Sequence, residues 1–191
     1  GDFSKFKEGF LMPSYGDRSF YTLNKKSFSG GLFSKQEEYE VLEKYCTLDV
    51  AVLGLHGTNS EDGTIQGLLE TMGIPYTGGN VLASSVGMDK VLMKDVYRQN
   101  GIPTVEYCWF YRDEWLEDPE KILLNVERMN YPLIVKPSNL GSSIGITKAK
   151  DKMSLLKAIE IAIFYDDKIL IEEAIENLRE INCAVLGRQE D

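Results

Sequence analysis

Residues 131–145, Tyr-Pro-Leu-Ile-Val-Lys-Pro-Ser-Asn-Leu-Gly-Ser-Ser-Ile-Gly (YPLIVKPSNLGSSIG), run from an apolar strand through a single lysine into a loop of small, donor-rich residues. Leu133, Ile134 and Val135 alternate between the two faces of a strand, and Lys136 leaves that strand at its end. Pro137 has no N–H for a ladder, so pairing on its side stops there. Ser138, Asn139, Gly141, Ser142, Ser143 and Gly145 then offer backbone and hydroxyl donors on a segment pliant enough to fold over phosphates. A cation held at a strand end beneath such a flap suits a polyphosphate. The same residues also spell an ordinary β-hairpin with a Gly/Ser turn and a solvated lysine, and the stretch by itself leaves both readings open.

Working outward, the chain reads as a mixed α/β protein. Ser34 and Glu37 have the spacing of a capping box, which predicts a helix over 38–45, followed by an apolar strand over 50–55. Ile65, Leu68, Leu69 and Met72 fall on one face of a helix over 64–73, and Gly73 stands where a helix end wants a left-handed residue. Further elements are expected as a helix over 86–100, a strand over 103–111, and a helix from Asp118-Pro119 to about Met129. The strand over 133–136 comes next. A helix begins at Asp151 or Ser154 with Leu155, Ile159 and Ile163 on one face, and two strands close the pattern over 168–172 and 181–186. The first 31 residues hold neither a helical nor a strand period for long, as if the chain were entered in its middle. A domain boundary is expected near 79–83, giving domains 1–82 and 83–191.

Composition narrows the function classes. The chain has 191 residues, and 30 Asp+Glu against 21 Lys+Arg give a formal charge of −9, so a broad surface for nucleic acid or anionic lipid is not expected and any anion site must be local. No window approaches the ~18 apolar residues of a membrane helix, and no charged-then-apolar leader pattern opens the chain. The three cysteines, Cys46, Cys108 and Cys183, are scattered and have no CxxC or histidine partner, so neither a disulfide framework nor a zinc site is indicated. The expected location is the cytoplasm. No GxxxxGK[ST] or strand-borne GxGxxG occurs, which argues against the two commonest nucleotide-binding loops.

Three other segments concentrate chemistry. His56-Gly-Thr-Asn-Ser-Glu-Asp-Gly63 joins a strand to a helix and holds the only histidine with Glu61 five residues on. It reads either as a ligand loop or as turn chemistry in which Asp62 caps the helix and His56 is structural. Met88-Asp-Lys90 opens a helix, with Lys94 one turn later, and on an exposed face these lysines would mean nothing. Glu172, Glu173 and Ile175, with Glu180 close behind, could bring carboxylates to ribose hydroxyls and backbone to a purine edge, or form an ordinary charged connection.

Taken together and in this order, the segments LHGTNSEDGTIQGLLETMGIPYTG, SSVGMDKVLMKDV, YPLIVKPSNLGSSIGITK and ILIEEAIENLREINCAVLG resemble the D-alanine–D-alanine ligase family of the ATP-grasp superfamily, including its D-Ala-D-Ser and D-Ala-D-lactate relatives. The resemblance covers most of 55–187 and only loosely the first 45 or so residues. It implies a partial N-terminal α/β domain, the preATP-grasp domain, followed by the central α+β subdomain of the ATP-grasp fold, with the C-terminal catalytic subdomain missing. By the same resemblance Lys90 and Lys136 contact the ATP phosphates. Ser142 lies near the transferred phosphate and the first substrate, with Ser143 beside it. Glu172, Glu173 and Ile175 form the hinge that meets adenine, Glu180 holds ribose, and His56 and Glu61 help define the first D-alanine site.

The reaction so implied is phosphoryl transfer from ATP to the carboxylate of one D-alanine. Attack of a second D-alanine's amine on the acyl phosphate follows, for peptidoglycan precursor synthesis. Magnesium is expected as a second cofactor with its ligands in the missing domain, so no metal ligand is assigned among these residues. The partners implied are D-alanine and ATP, with a homodimeric parent, and the chain alone is expected to be inactive. Alternative readings are D-Ala-D-Ser or D-Ala-D-lactate formation, and a non-catalytic ATP-binding module. Two departures from the family pattern stand out. Ser60 replaces a usual glycine, so its backbone must avoid the left-handed region, and one extra residue lies between Glu172 and Glu180.

Overall fold

The computed structural model describes residues 10–11, 15–28, 37–185 and 187, and the chain divides into two compact units, 1–88 and 89–191. In the first unit β1 (Phe10–Leu11), β2 (Ser19–Phe28) and β3 (Glu37–Thr47) form an antiparallel sheet in the order β1-β2-β3. β2 is a ten-residue strand inside the segment expected to be irregular, and β3 replaces the expected helix over 38–45. Ser34 of the supposed capping box lies outside the described residues. Cross-strand partners account for the change: Asn24 donates to Glu43 at 2.7 Å, Lys26 pairs with the same carboxylate, and Phe20 meets Tyr45 edge-on at 6.5 Å. Such pairs stabilise a ladder, and a local helical signal does not outweigh a ten-residue partner.

The expected strand over 50–55 is reduced to one parallel bridge, Ala51 to Tyr76, made by Ala51 N–H to Pro75 O at 2.8 Å and Thr77 N–H to Ala51 O at 3.1 Å. Val52 is 79% exposed, so its apolar character finds no second layer within the described residues. α1 (Thr64–Thr71) forms as its period requires, with Leu69 and Met72 buried and Gly73 at φ 68° closing it. Gly63 precedes α1 at φ 96°, and a Cβ there would stand 2.5 Å from Ser85 Oγ and 2.9 Å from Val81 O, both on α2 (Val81–Met88). Only glycine lets the two helices meet there.

The helix expected over 86–100 is two helices. α2 ends at Met88, and in the second unit Asp89 caps α3 (Lys90–Gln99), its carboxylate accepting from Val91 N–H and Leu92 N–H. The rest of this unit is a four-stranded antiparallel sheet of β4 (Tyr107–Tyr111), β5 (Leu133–Pro137), β6 (Thr147–Ala149) and β7 (Lys168–Glu173), in the order β4-β7-β5-β6. α4 (Arg112–Glu117) had no sequence signal recognised above. α5 (Pro119–Val126) starts at the expected Asp118-Pro119, and α6 (Lys152–Tyr165) is capped by Asp151. The strand expected over 181–186 does not form. Ile181 and Val185 are 86% and 89% exposed, and without a partner strand β propensity makes no ladder; Leu186 lies outside the described residues.

Strand register assigns the sheet two different faces. Phe110, Leu133, Val135, Ile169 and Ile171 point one way and are buried against Ile122 and Val126 of α5 and Leu155, Ala158 and Ile159 of α6. The alternate residues form rows on the other face: Tyr107, Glu172, Ile134 and Lys148 are in direct register, with Lys136, Leu170 and Trp109 one step along. The core thus occupies one side and leaves the other for polar chemistry.

Ile159 is fully buried, so Ile159→Ala is expected to destabilise the second unit by about 2–5 kcal/mol in denaturant unfolding. Phe164→Ala on the same helix, at a site 79% exposed, is expected to stay within about 0.5 kcal/mol of wild type.

Candidate functional site

The polar face of the second unit is built around three acidic or basic corners. At the first, Asp89 Oδ1 accepts from Ser138 Oγ at 2.8 Å as well as from the first turn of α3, and Oδ2 pairs with Lys168 Nζ at 2.8 Å. Lys168 in turn lies 4.9 Å from the Trp109 ring centre. Burial favours the neutral acid of Asp89, but bonds from Lys168 and Ser138 and the amides of α3 outweigh it and hold its pKa below the ordinary value. This corner ties the start of α3 to the end of β5.

Lys90, the first residue of α3, is fixed by that tie. Its N–H donates to Ser138 O at 3.1 Å, and its ammonium donates to Ser138 O at 3.2 Å and to Leu140 O. Burial, then repulsion from Lys136, lowers its pKa. Lys90 is thus within electrostatic reach of Lys136, with the loop's own carbonyls folded toward its ammonium.

The third corner is Glu172. Lys136 pairs with its Oε1, and Lys94 Nζ stands 2.8 Å from its Oε2, all three side chains being between 12% and 18% exposed. Burial would raise the carboxyl pKa, yet the two ammonium groups together pull it below the ordinary value. Each oxygen of the carboxylate therefore has its own cation, Oε2 being buried against Lys94.

A cavity of about 500 Å³ opens on this face and is lined by Lys136, Ser143, Glu172, Glu173, Ile175 and Glu180. These are six of the residues singled out in the sequence, drawn from two separate segments. Apolar walls come from Ile134, Ile146 and Leu178, and a further cation from Lys148. Sequence reasoning missed these four, although strand parity places Ile134 on the side of Lys136 and in register with Lys148. Glu173 lines the cavity but its carboxylate accepts from Asn130 N–H at 2.7 Å and Asn130 Nδ2 at 3.0 Å, so its side chain is engaged elsewhere. Glu180 is exposed.

The loop from Ser138 to Ile146 joins β5 to β6 as the hairpin reading required, while Lys136 is paired rather than solvated. Ser142 and Ser143 are exposed with φ 51° and 59°, left-handed values that cost a non-glycine residue of order 1 kcal/mol each. Gly145 at φ 72° closes the loop, and a Cβ there would approach Pro137 Cγ to 2.8 Å and Tyr165 Cδ2 to 3.0 Å.

In the first unit His56 and Glu61 come together, Nδ1 to Oε1 at 3.7 Å, and Glu61 Oε2 accepts from Gly57 N–H at 2.6 Å. Asp62 accepts from Thr64 N–H at 3.0 Å and Asn59 N–H at 2.6 Å, the turn chemistry its position suggested. The left-handed positions of this loop fall on Gly57 and Asn59, at φ 82° and 66°, and Ser60 avoids them. Among the described residues no group of three or more His, Cys, Asp or Glu side chains is arranged to hold a metal ion.

A four-stranded antiparallel sheet with helices on one face and a lysine-lined cavity under a Gly/Ser hairpin on the other defines the ATP-grasp class of mixed α/β folds. The family model for the N-terminus of D-Ala-D-Ala ligase matches residues 13–79, and that for its C-terminus matches residues 96–191. The chain belongs to the D-alanine–D-alanine ligase family. It is 51% identical over 144 residues to a D-alanine–D-alanine ligase of Bacillus velezensis, an alignment covering 75% of this chain and 40% of the relative. Among solved structures, a D-alanine–D-alanine ligase from Helicobacter pylori superposes with a TM-score of 0.65 at 26% identity, over 91% of this chain and 46% of that one. The VanG D-Ala:D-Ser ligase from Enterococcus faecalis gives 0.66 at 36% identity, over 73% and 39%. The chain thus spans about two fifths of the length of the curated relatives it matches.

Two outcomes are expected from this geometry. Since the folded pKa of Asp89 lies below its unfolded value, its contribution is complete above about pH 4 and is lost as pH falls through the lower folded value. The stability gap between wild type and Asp89→Asn in denaturant melts should be about 1–3 kcal/mol at neutral pH and close as pH drops below about 4. Gly145→Ala should destabilise by about 1–3 kcal/mol in the same assay, through a strained φ and contact with Pro137.

Proposed function

We propose that this chain carries the ATP-binding part of a D-alanine–D-alanine ligase, which joins two D-alanines through a D-alanyl phosphate. The observation that carries the reading is a cavity with apolar walls and carboxylates, lined by Lys136 and by Ser143 of the Gly/Ser loop, the loop whose Ser138 and Leu140 carbonyls hold the Lys90 ammonium.

In this reading Ile134, Ile146, Ile175 and Leu178 hold the flat adenine ring. Glu180 takes ribose hydroxyls. Lys90 and Lys136 neutralise the phosphates, and Ser142 and Ser143 fold over them, so that positioning and electrostatics supply most of the rate. A carboxylate oxygen of the first D-alanine attacks the γ-phosphorus and ADP leaves. The amine of the second D-alanine then attacks the acyl carbon, phosphate leaves, and the amine gives up a proton as the amide forms. His56 and Glu61 belong to the first D-alanine site by family likeness.

Magnesium accompanies this chemistry in the family reading, but the described residues offer no cluster of acidic, histidine or cysteine side chains that fits it. Cytoplasmic location and a homodimeric assembly belong to the same proposal; among the described residues no helix is long and apolar enough to cross a membrane. The likeness to VanG favours, as a second reading, D-serine as the second substrate.

The test is titration of the chain with ATP followed by amide NMR shifts. Saturable shifts are expected at Lys136, Ser143, Glu172 and Ile175, with affinity falling about 10- to 100-fold in Lys136→Met, the loss of one charge-assisted contact. Unchanged affinity in both Lys90→Met and Lys136→Met would remove the nucleotide from this site. In the natural protein bearing this sequence, ADP release should require D-alanine, and Lys136→Met should slow it by two or more orders of magnitude, roughly 3 kcal/mol. Substituting D-serine for D-alanine as acceptor separates the two readings.

A further inference from the structure

Resting on that nucleotide reading, we propose that Lys94 is a positioning residue that keeps the Glu172 carboxylate neutralised, so that Lys136 can leave it for a polyphosphate. Glu172 is a carboxylate only 12% exposed, with one lysine on each oxygen. The trio carries a net charge of +1. Lys136 can place its ammonium on a phosphate only by giving up or sharing Oε1, and a buried carboxylate left without any cation is strongly unfavourable. Lys94 removes that obstacle, because Glu172 keeps a partner when Lys136 moves.

The surroundings of Lys94 suit a fixed counter-charge rather than a mobile ligand. It lies one turn after Lys90 on α3, so both lysines project from one helix face. Its Nζ is 5.3 Å from the ring centre of Tyr107, the residue in register with Glu172 on β4. Tyr107 is itself held, its hydroxyl donating to Asp95 and its ring lying 4.2 Å from the Arg98 guanidinium. Arg98 reaches back to Thr104 Oγ1 at 2.8 Å and Val105 O at 3.1 Å. Lys94 is not among the residues lining the cavity, whereas Lys136 is. One lysine faces the ligand and the other stands behind the carboxylate.

Without Lys94, Glu172 and Lys136 would form a one-to-one pair, and phosphate would have to compete with the carboxylate for a single cation. The penalty would fall on the polyphosphate and spare the nucleoside. Affinities for ATP and for adenosine, measured by amide NMR titration of the chain, give the readout as a ratio. Lys94→Met is expected to lower the ATP-to-adenosine preference about tenfold, and Lys94→Gln, which keeps polarity without charge, to do the same. Lys94→Arg is expected to restore it to within about threefold, since a guanidinium supplies the charge but not the same point geometry. In a Glu172→Gln background, where no carboxylate competes, Lys94→Met should leave the ratio unchanged. Parallel weakening of ATP and adenosine, or a Lys94→Met loss that persists with Glu172→Gln, would overturn the proposal while leaving the nucleotide site intact. A wild-type chain that prefers ATP over adenosine in no measurable way would instead defeat the nucleotide reading, and this proposal with it.

Discussion

The second unit depends on how one buried carboxylate is balanced. Glu172 ends β7 on the face that the helices do not cover, and the two lysines that neutralise it come from α3 and from β5. Removing either cation from a carboxylate so nearly buried would leave charge without a partner in a poorly solvated place. The pairing therefore fastens α3 to the β5–β7 ladder on the side the core does not occupy. Asp89 makes the same kind of join one step away, connecting α3, Ser138 and Lys168. Both acids are held ionised, because each gains more from its ammonium partner than burial costs it.

This polar lattice is possible because the sheet separates its duties. Leu133 and Val135 face the helices and are fully buried, while Ile134 and Lys136, their sequence neighbours, face the cavity. Stability is concentrated where Leu155, Ala158 and Ile159 pack on the sheet, so the opposite face can hold charged groups such as Glu172 with its two lysines. The Gly/Ser hairpin is anchored at both ends, where Ser138 is buried and Gly145 lies against Pro137, and is exposed between them at Ser142, Ser143 and Ile144.

Much of this was legible locally. Asp118-Pro119 and Asp151 with Ser154 start helices where their cap chemistry says they should, and the alternation through Lys136 announces a strand with one polar face. The misreadings arise where distant partners decide. Ser34 with Glu37 looks like a helix start, but β3 follows the register of β2. The break at Asp89 is invisible in helical periodicity, because a residue 79 positions away, Lys168, holds the carboxylate that caps α3. Lys94 is one charged helix residue among several until Glu172 is placed beside it. The six cavity residues named from sequence stood out by their chemistry, and family likeness gave them their roles; parity along β5 adds Ile134, and the register with β6 adds Lys148.

The two-sided character of β5 also constrains how this chain can vary by insertion and deletion. Adding or removing one residue within Leu133–Pro137 would turn Lys136 into the helix layer and bring Val135 to the cavity, exchanging core and cavity surface in one step. The hairpin tip between Gly141 and Ile144 bears no such penalty, as it is exposed or partly exposed and pairs with no other strand. Length polymorphism among natural variants should therefore collect at that tip and be absent from Leu133–Pro137.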